Sequence, residues 1–295
     1  MIRRGTPDDF GAATELLNLV WPERVGSERG LHHAYSAEPE AAQRRYWAAV
    51  ENGRLVGWAD ASVEYQSASR PGSLAVSVAL EWRGRGLGSA LFAAAEKHLR
   101  ALGTALVLGD STDEEAERRF ALARGFRHTR TIRISAVDPR NVKALQPSPG
   151  VELARLVDLD PVAVHAIDAE AMGDIPGDAA MDDVGLEQWL DDYWRHPDMD
   201  LESSTAVLVD GRPVSFSMLR VAPDGLAVTD MTGTLRAHRG RGYAFLAKQA
   251  TLARAATRGV PRVITDNHET NAAMLRVNEK LGYEPAGALL SWARP

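Results

Sequence analysis

The sequence predicts two mixed α/β domains in tandem, and three observations support this fold class. A strand, a glycine-rich turn and a helix follow one another in the same order in both halves of the chain. Further landmarks of the two halves recur at nearly one spacing, which indicates a duplicated domain. A length of 295 residues is also enough for two domains that each bury a core of their own.

The glycine-rich turn of the second half joins a predicted strand at 228–234 to an apolar helix. Its core is Arg239-x-x-Gly242-x-Ala244. Glycine lets the backbone turn tightly with its amides unobstructed, and a helix that starts there offers the positive end of its dipole to an anion. The turn matches neither the P-loop nor the G-x-G-x-x-G fingerprint. Three flanking arginines favour a polyphosphate as the anion: Arg236, Arg239 and Arg241.

The first half repeats this turn as Arg83-x-x-Gly86-x-Gly88, so that Arg239 follows Arg83 by 156 residues. An RNA-binding Arg-Gly tract is the alternative interpretation, but such tracts are disordered and repeated locally, so the flanking strand and helix argue against it. Two further landmarks recur at offsets of 157 and 158 residues: Gly125-Phe126 with Gly282-Tyr283, and Asn52-Gly53 with Asp210-Gly211.

The elements of the first half are predicted from local periodicity and turn residues. Thr6 or Asp8 caps the first helix, Asn52-Gly53 is a hairpin turn, and Gly103 ends the helix that follows the glycine-rich turn. The polar segment 22–40 is predicted to be irregular. The predicted order is strand 2–4, helix 8–20, a helical start passing into a strand over 41–50, strand 55–65, strand 73–80, helix 88–101, strand 105–108, helix 113–123 and strand 126–136.

The second half restarts the pattern after a linker. Residues 138–150 contain three prolines and no clear period, so they are predicted to join domains 1–137 and 151–295. Asp160-Pro161 opens a helix in the N-cap and N1 arrangement. The predicted order is strand 151–156, a helix from 160, strands 205–209, 213–221 and 226–234, a helix to 258, strand 262–265, helix 269–280 and strand 283–292.

Both halves resemble the GNAT N-acetyltransferase superfamily, whose acetyl-CoA signature is a strand, (Gln/Arg)-x-x-Gly-x-(Gly/Ala), helix, strand, helix and a Gly-aromatic pair. The resemblance covers nearly the whole chain and implies, in each domain, a mixed, mostly antiparallel central sheet with helices on both faces. It implies acetyl-CoA as the acyl donor, with turn amides on its pyrophosphate and a splayed strand pair along its pantetheine arm. The implied contact residues are Thr234, Leu235, Arg236, Arg239, Gly240, Arg241, Gly242, Tyr243, Ala244 and Asn271 in the second half, and Val78, Ala79, Leu80, Arg83, Gly84, Arg85, Gly86, Leu87 and Gly88 in the first.

Composition narrows the function classes. A net charge of −6 argues against a nucleic-acid partner and is compatible with a cationic acceptor. The chain has no cysteine, which excludes a disulfide framework, a thiolate metal site and an acetyl-cysteine intermediate, so direct attack by a bound acceptor is expected. No metal site is predicted. The chain start lacks an apolar signal segment and no run reaches membrane-spanning length, so we expect no membrane partner and a cytoplasmic location.

An acid on the strand that feeds the turn distinguishes the two halves. In the GNAT family a carboxylate or histidine there often deprotonates the acceptor, because an ammonium cannot attack a thioester. Asp230 stands at this place, whereas the matching stretch 70–78 has neither acid nor histidine. A surface charge, or a carboxylate paired with an arginine, is the alternative for Asp230. The asymmetry predicts a catalytic second domain and a degenerate or structural first domain.

A second asymmetry follows the next strand of each half. The resemblance places Asn271 where an amide touches the CoA arm, and Asn278 where many members carry the tyrosine that protonates the leaving thiolate. Because an amide is a poor acid, either water or another residue protonates the thiolate, or Asn278 only binds CoA. The first half has Glu114 and Ala121 at these places. The next candidates for the base after Asp230 are Asp266, His268 and Glu269. An exposed turn residue is the alternative interpretation of His268.

An acidic and aromatic run precedes residue 205, where GNAT domains build the acceptor wall. Acids with aromatics suit a cationic amine with an apolar body, whereas acidic solvated helices with buried tryptophans are the commoner alternative. The run contains Asp168, Glu170, Asp174, Asp178, Asp182, Asp183, Glu187, Asp191 and Asp192, with Met172, Met181, Trp189, Tyr193 and Trp194.

These features predict an acetyl-CoA-dependent N-acetyltransferase that acetylates an amine of a small, cationic acceptor by direct attack in a ternary complex. Two alternatives stay open. One is acetylation of a cysteinyl amino sugar, as in the mycothiol synthases, whose tandem layout this chain resembles. The other is a non-catalytic acyl-CoA-binding or dimerisation module. The sequence does not decide which acceptor is used or whether the chain forms a homodimer.

Overall fold

The computed structural model describes residues 1–143, 147–173 and 184–295. The strands are β1 (Ile2–Arg4), β2 (Arg45–Glu51), β3 (Arg54–Val63), β4 (Gly72–Val78), β5 (Val107–Thr112), β6 (Arg127–Val137), β7 (Val151–Arg155), β8 (Thr205–Val209), β9 (Arg212–Val221), β10 (Leu226–Thr234), β11 (Arg262–His268) and β12 (Glu284–Arg294). The helices are α1 (Phe10–Val20), α2 (Glu28–Ala37), α3 (Leu87–Ala101), α4 (Glu115–Leu122), α5 (Pro161–Met172), α6 (Leu186–Trp189), α7 (Tyr243–Thr257) and α8 (Ala272–Lys280).

The chain divides into two units, and each contains a series of six hydrogen-bonded strands. The first unit holds residues 1–131 and 289–295, and its strands lie in the order β1-β2-β3-β4-β5-β12. The second unit holds the described residues between 132 and 288, in the order β6-β11-β10-β9-β8-β7. In each unit only one of these pairs is parallel, β4 with β5 and β10 with β11. The predicted mixed, mostly antiparallel α/β fold is confirmed.

In each unit helices pack on both faces of the strands, whose alternate residues point to opposite sides. In β2, Trp47 packs in the cluster of α3 and Tyr46 in the cluster of α1. In β9, Phe216 packs with α5 and Leu219 with α7. The central strands are therefore apolar on both sides.

The units differ from the sequence-based boundaries, 1–137 and 151–295, at two strand ends. Residues 289–294 pair with β5 and place Leu290 and Trp292 in the core of the first unit. Residues 132–137 pair with β11 and place Val137 in the core of the second. Hydrophobic periodicity predicts that these segments are strands but does not identify their partners.

Several local predictions are confirmed. The Asp160 side chain accepts a hydrogen bond from Val162 N at 2.9 Å and caps α5, with Pro161 in its first turn. Asn52 and Asp210 take positive φ angles of 52° and 50° ahead of their glycines, as tight hairpin turns need.

Other predictions are wrong in part. The segment 22–40 is not wholly irregular, because α2 begins after Ser27, whose Oγ accepts from Gly30 N at 3.0 Å. Polar residues concealed this helix. The strands β5 and β11 also extend further towards their C-terminal ends than predicted. The predictions stopped where each strand becomes polar. Among the described residues, no helix has the length and apolarity that crossing a membrane requires. The cytoplasmic location stays a prediction.

Trp292 tests the assignment of the chain end to the first unit. The variant Trp292→Ala removes a side chain that is 4% exposed in that core, and we expect it to lower the free energy of unfolding by about 3–5 kcal/mol. Leu122→Ala, at a position 59% exposed, is the control and should change it by less than about 0.5 kcal/mol. Urea denaturation of both variants measures the difference, and equal stability of the two would contradict the assignment.

Candidate active site

The glycine-rich turn of the second unit joins β10 to α7. After Thr234 the chain makes a short 3-10 turn, and Gly240 and Gly242 then take φ angles of +74° and +83° before α7 begins at Tyr243. Only glycine adopts this left-handed region at little cost. A Cβ on either glycine would meet no atom within 4 Å, so the backbone angle and not the available space requires glycine.

The turn of the first unit has the same shape. In both turns an arginine braces the end of the feeding strand: Arg83 Nε donates to Val78 O at 3.2 Å, and Arg239 Nε donates to Thr234 O at 3.0 Å. These arginines align in the repeat and hold the turn itself. The glycines of the first turn, with φ angles of +76° and +83°, are Gly84 and Gly86.

Each turn leads into the positive end of a helix, where the first amides have no acceptor within the helix. This arrangement can bind a phosphate. The Arg236 amide lies in the 3-10 turn before α7, and it is already engaged because it donates to the Glu170 carboxylate. The other predicted contact residues of the two turns are Leu235, Arg241 and Ala244 in the second unit and Ala79, Leu80, Arg85, Leu87 and Gly88 in the first.

A cleft opens beside each turn because two parallel strands part. In the second unit β10 and β11 pair only over 226–228 and 262–264, although they continue to Thr234 and His268. In the first unit β4 and β5 pair only at Gly72 and Ser73 with Val107 and Leu108. Beyond these points the facing backbone groups of the two strands do not pair with each other, which is the splayed arrangement that the resemblance implies.

The cleft of the first unit is an apolar cavity of about 430 Å³. It is bounded by the parted strands, the glycine-rich turn and α4. Phe92, Phe120 and Phe126 form much of its wall. These aromatic rings suit an apolar group, although the lining also includes the charged Arg83, Asp110, Glu117 and Arg124.

Two carboxylates stand at the turn end of this cavity. The Arg83 guanidinium donates to Glu114 and to Glu117, each at 3.1 Å. Glu117 also accepts from Thr112 N at 2.9 Å and Thr112 Oγ1 at 2.8 Å. Arg83 is therefore already paired, and the carboxylates lie where a phosphate on this turn would meet like charge.

The second unit has a β-bulge that the first unit lacks. The pairing of β10 with β9 shifts by one residue between Thr229 and Thr232, whereas β4 pairs with β3 in one unbroken register. A bulge leaves one residue outside the ladder and turns its neighbours. Here Asp230 and Met231 both lie on the α5 side of the sheet. Asp230 is hydrogen-bonded to Arg220, and Met231 packs against the α5 core cluster.

Asp230 forms an ion pair inside this bulge. Arg220 Nε donates to Asp230 Oδ2 at 3.0 Å, and the guanidinium also donates to Asp192 O at 3.0 Å. In the described part of the chain, Asp230 Oδ1 accepts no hydrogen bond. The pKa of the adjacent Tyr193 phenol is raised, mainly by burial and further by the charges of Asp230 and Asp168. The Tyr193 hydroxyl is therefore neutral. The pairing of Asp230 with an arginine was the alternative anticipated from the sequence.

The residues after β11 occupy the start of α8. Asn271 is the N-cap of this helix, and its Oδ1 accepts from Met274 N at 3.2 Å. His268 Nδ1 is engaged by Thr270 N at 3.1 Å and by the Thr270 hydroxyl at 2.6 Å. Both side chains therefore have a local structural role at the end of the parted strand.

Asn278 is buried in a polar network. It is 3% exposed, its Oδ1 accepts from Lys248 Nζ at 2.7 Å, and its Nδ2 donates to Asn267 Oδ1 at 2.6 Å. The Lys248 ammonium also donates to Thr265 Oγ1 at 2.9 Å. Complete burial lowers the pKa of Lys248 to about 7, an effect that the attraction of Asp266 opposes.

Much of the described acidic run has partners within the second unit. Trp189 Nε1 donates to the buried Asp168 at 2.7 Å, and Arg195 pairs with Glu187 and Asp191. Trp189, Tyr193 and Trp194 belong to the α5 core cluster, and Met172 ends α5. Five members of the run lie outside the described residues: Asp174, Asp178, Met181, Asp182 and Asp183.

Sequence reasoning missed two residues of the site, Lys248 and Arg220. Lys248 lies at core spacing on α7 with the buried Thr251, Leu252 and Ala255, and a lysine on that face was the available signal. Arg220 gave no such signal, because only the strand register places it against Asp230.

Two family matches cover most of the chain. The model of the family described as "Acetyltransferase (GNAT) family" matches residues 13–126, and that described as "Acetyltransferase (GNAT) domain" matches residues 151–284. No curated protein matches the chain significantly.

Solved structures share the fold at low identity. A GCN5-related N-acetyltransferase from Sphaerobacter thermophilus is 19% identical, with a TM-score of 0.75 over 100% of this chain and 95% of that one. A tandem GNAT protein from the clavulanic acid biosynthesis pathway is also 19% identical, with a TM-score of 0.77 over 100% and 98%. The glucosamine N-acetyltransferase region of a fungal multi-domain β-N-acetylglucosaminidase is 15% identical, with a TM-score of 0.69 over 99% and 38%. The chain belongs to the GNAT acetyltransferase family, as an acyltransferase with two family domains in tandem.

Proposed function

We propose that the second unit transfers an acetyl group from acetyl-CoA to an amine of a small, cationic acceptor by direct attack in a ternary complex. The observation that carries this proposal is the bulge of β10 with Asp230, since β4 of the first unit has neither the bulge nor an acid. Both units have the glycine-rich turn and the cleft, so these features alone do not distinguish them.

The acyl donor would enter along the parted strands. The amides at the start of α7 would hold the pyrophosphate, and the pantetheine arm would run between β10 and β11 towards the point where they pair. Asn271 would offer its amide to this arm. Because a bulge frees backbone N–H groups from the ladder, those beside Met231 could stabilise the oxyanion of the tetrahedral intermediate.

Asp230 would be the base. An acceptor amine arrives mostly protonated at neutral pH and must lose a proton before it attacks. Arg220 holds Oδ2 and thereby fixes the carboxylate, while Oδ1 could accept the proton directly or through water. Tyr193, whose ring centroid lies 5.7 Å from the Arg220 guanidinium carbon, would flank the acceptor with an aromatic face.

The first unit would have a structural or ligand-holding role. Its cavity is mainly apolar, and Glu114 and Glu117 lie beside its turn. The carboxylates would weaken binding of the CoA phosphates there. The limits 1–137 and 151–295 are proposed as the extents of the two family domains, joined by 138–150.

A non-catalytic acyl-CoA-binding module is the second candidate. It is favoured because neither unit has the tyrosine that protonates the leaving thiolate in many family members. Asn278 and Ala121 occupy the corresponding positions. Release of CoA thiol in the presence of a panel of amines would distinguish catalysis from binding. Inclusion of a cysteinyl amino sugar in the panel would test the mycothiol-synthase-like alternative.

Variants of the two turns test which unit binds acetyl-CoA. Gly242→Glu places a carboxylate over the amides of α7 and should weaken binding at least about tenfold, or 1.4 kcal/mol. Gly86→Glu, in the first unit, should leave the affinity within about threefold by the same conversion. Gly242→Ala has similar backbone strain without the charge, so its affinity for acetyl-CoA should lie between those of Gly242→Glu and the wild type. Calorimetric titration measures all three, and loss of binding only in Gly86→Glu would reverse the assignment.

Asp230→Asn tests the base. The change keeps the shape of the side chain but removes the proton acceptor, so the acetylation rate at neutral pH should fall by roughly 10²–10⁴ while acetyl-CoA affinity changes little. The loss should shrink at high pH, where the acceptor is already deprotonated. Steady-state rates from pH 6 to 10 would measure this, with Asp224→Asn in an exposed turn as control. Unchanged turnover, or a loss confined to acetyl-CoA binding, would remove Asp230 from the mechanism.

A further inference from the structure

A buried lysine lies at the head of the second unit's cleft. Lys248 of α7 has no exposed surface, and its ammonium donates to Thr265 on β11 and Asn278 on α8. Thr265 is the first residue of β11 beyond its pairing with β10, which ends at Ile264. The ammonium is therefore held where the two strands begin to part.

The first unit shows what the corresponding positions line. The repeat relates Lys248, Thr265 and Asn278 to residues of the first unit that lie 156 or 157 positions earlier. Each of these first-unit residues lines the cavity of about 430 Å³. The same wall positions of the second unit thus carry an ammonium and an amide in place of apolar side chains. The corresponding pairs are Lys248 with Phe92, Thr265 with Gly109, and Asn278 with Ala121.

The ammonium fixes the direction of the amides beyond it. Lys248 Nζ donates to Asn278 Oδ1, which leaves Asn278 Nδ2 directed towards Asn267, and Nδ2 donates to Asn267 Oδ1. Asn267 is left with its NH₂ as the outer end of the chain, and it is half-buried whereas Lys248 and Asn278 are buried. Aligned dipoles in a low-dielectric interior strengthen one another, so the outer N–H is a strong donor.

The groups around Lys248 leave its charge uncompensated at close range. In the described part of the chain, no carboxylate lies within ion-pair distance of Nζ, and Asp266 attracts it only from further away. The Tyr283 ring centroid lies 4.7 Å from Nζ, while the Tyr283 hydroxyl is hydrogen-bonded to Thr229 at 3.1 Å. Burial favours the neutral amine of Lys248, whereas a negative charge that forms near Nζ favours the ammonium.

We propose that Lys248 is a positioning residue that acts through Asn278 and Asn267 on the sulfur of CoA. This inference rests on the proposed acetyl transfer by the second unit. After the acceptor nitrogen has bonded to the thioester carbon, the tetrahedral intermediate collapses, the carbon–sulfur bond breaks and its electron pair leaves on sulfur. The outer N–H of the chain donates to that sulfur and stabilises the thiolate. The acceptor ammonium gives its first proton to the base before attack, the attached nitrogen gives its second proton to water as the amide forms, and water protonates the sulfur on release.

The pKa of the CoA thiol bound to the full chain tests this role without an acceptor. Ultraviolet absorbance of the thiolate, measured against desulfo-CoA as the blank, gives that pKa. We expect it to be lower for bound than for free CoA, and Lys248→Met to raise it by about one unit, a tenfold loss of thiolate fraction at a given pH. Methionine fills a similar length without charge but leaves Asn278 Oδ1 without its donor, so some loss of stability is expected, and the melting temperature of each variant is measured to verify that the thiol pKa refers to folded protein.

Two further variants complete the experiment. Asn278→Leu interrupts the chain at its next link and should raise the thiol pKa as Lys248→Met does. Thr251→Val changes a buried polar residue on the same face of α7, outside the chain, and should leave the thiol pKa unchanged. If CoA binds with equal thiol pKa in wild type, Lys248→Met and Asn278→Leu, the inference is overturned. That result leaves the proposed acetyl transfer unaffected. If the second unit binds no CoA at all, the proposed function fails first.

Discussion

The early end of the parallel pairing between β10 and β11 is the constraint on which the candidate site depends. If the two strands paired along their whole length, their backbone groups would satisfy each other and no cleft would exist. Because pairing stops after three residues, the strands part towards the glycine-rich turn, with α7 and α8 beside the opening. The same constraint operates between β4 and β5, so both units have the opening.

What differs between the units is the chemistry placed around the opening. One extra residue in β10 changes which side chains face α5, because strand side chains alternate with a period of two. Asp230 and Arg220 meet on that face as a result. On the other face, the first unit has Phe92 where the second has Lys248. A shared backbone thus carries an apolar cavity in one unit and a polar, charged wall in the other.

The features that sequence reasoning recovered are those that local physics determines. Gly240 and Gly242 are identifiable because a tight turn of this kind needs glycine, and the repeat of this turn predicted the family that the two family matches show. Features that depend on strand register were not recoverable in the same way. The bulge of β10, the partner of Asp230 and the unit that each strand end completes are all set by pairing between distant segments. Lys248 was overlooked because a lysine in a helix is usually a solvated residue, and only its core spacing indicated burial.

The membership of residues 289–295 in the first unit has a consequence for synthesis. Domains usually fold as they leave the ribosome, the N-terminal one first. Here β5 lacks its antiparallel neighbour until more than 170 further residues have been translated, since Val107–Thr112 pairs with Leu289–Arg294. Until then one edge of the nascent sheet is exposed, and unpaired edges recruit other strands. A chaperone that shields this edge during translation would therefore affect the yield of the first unit more than that of the second.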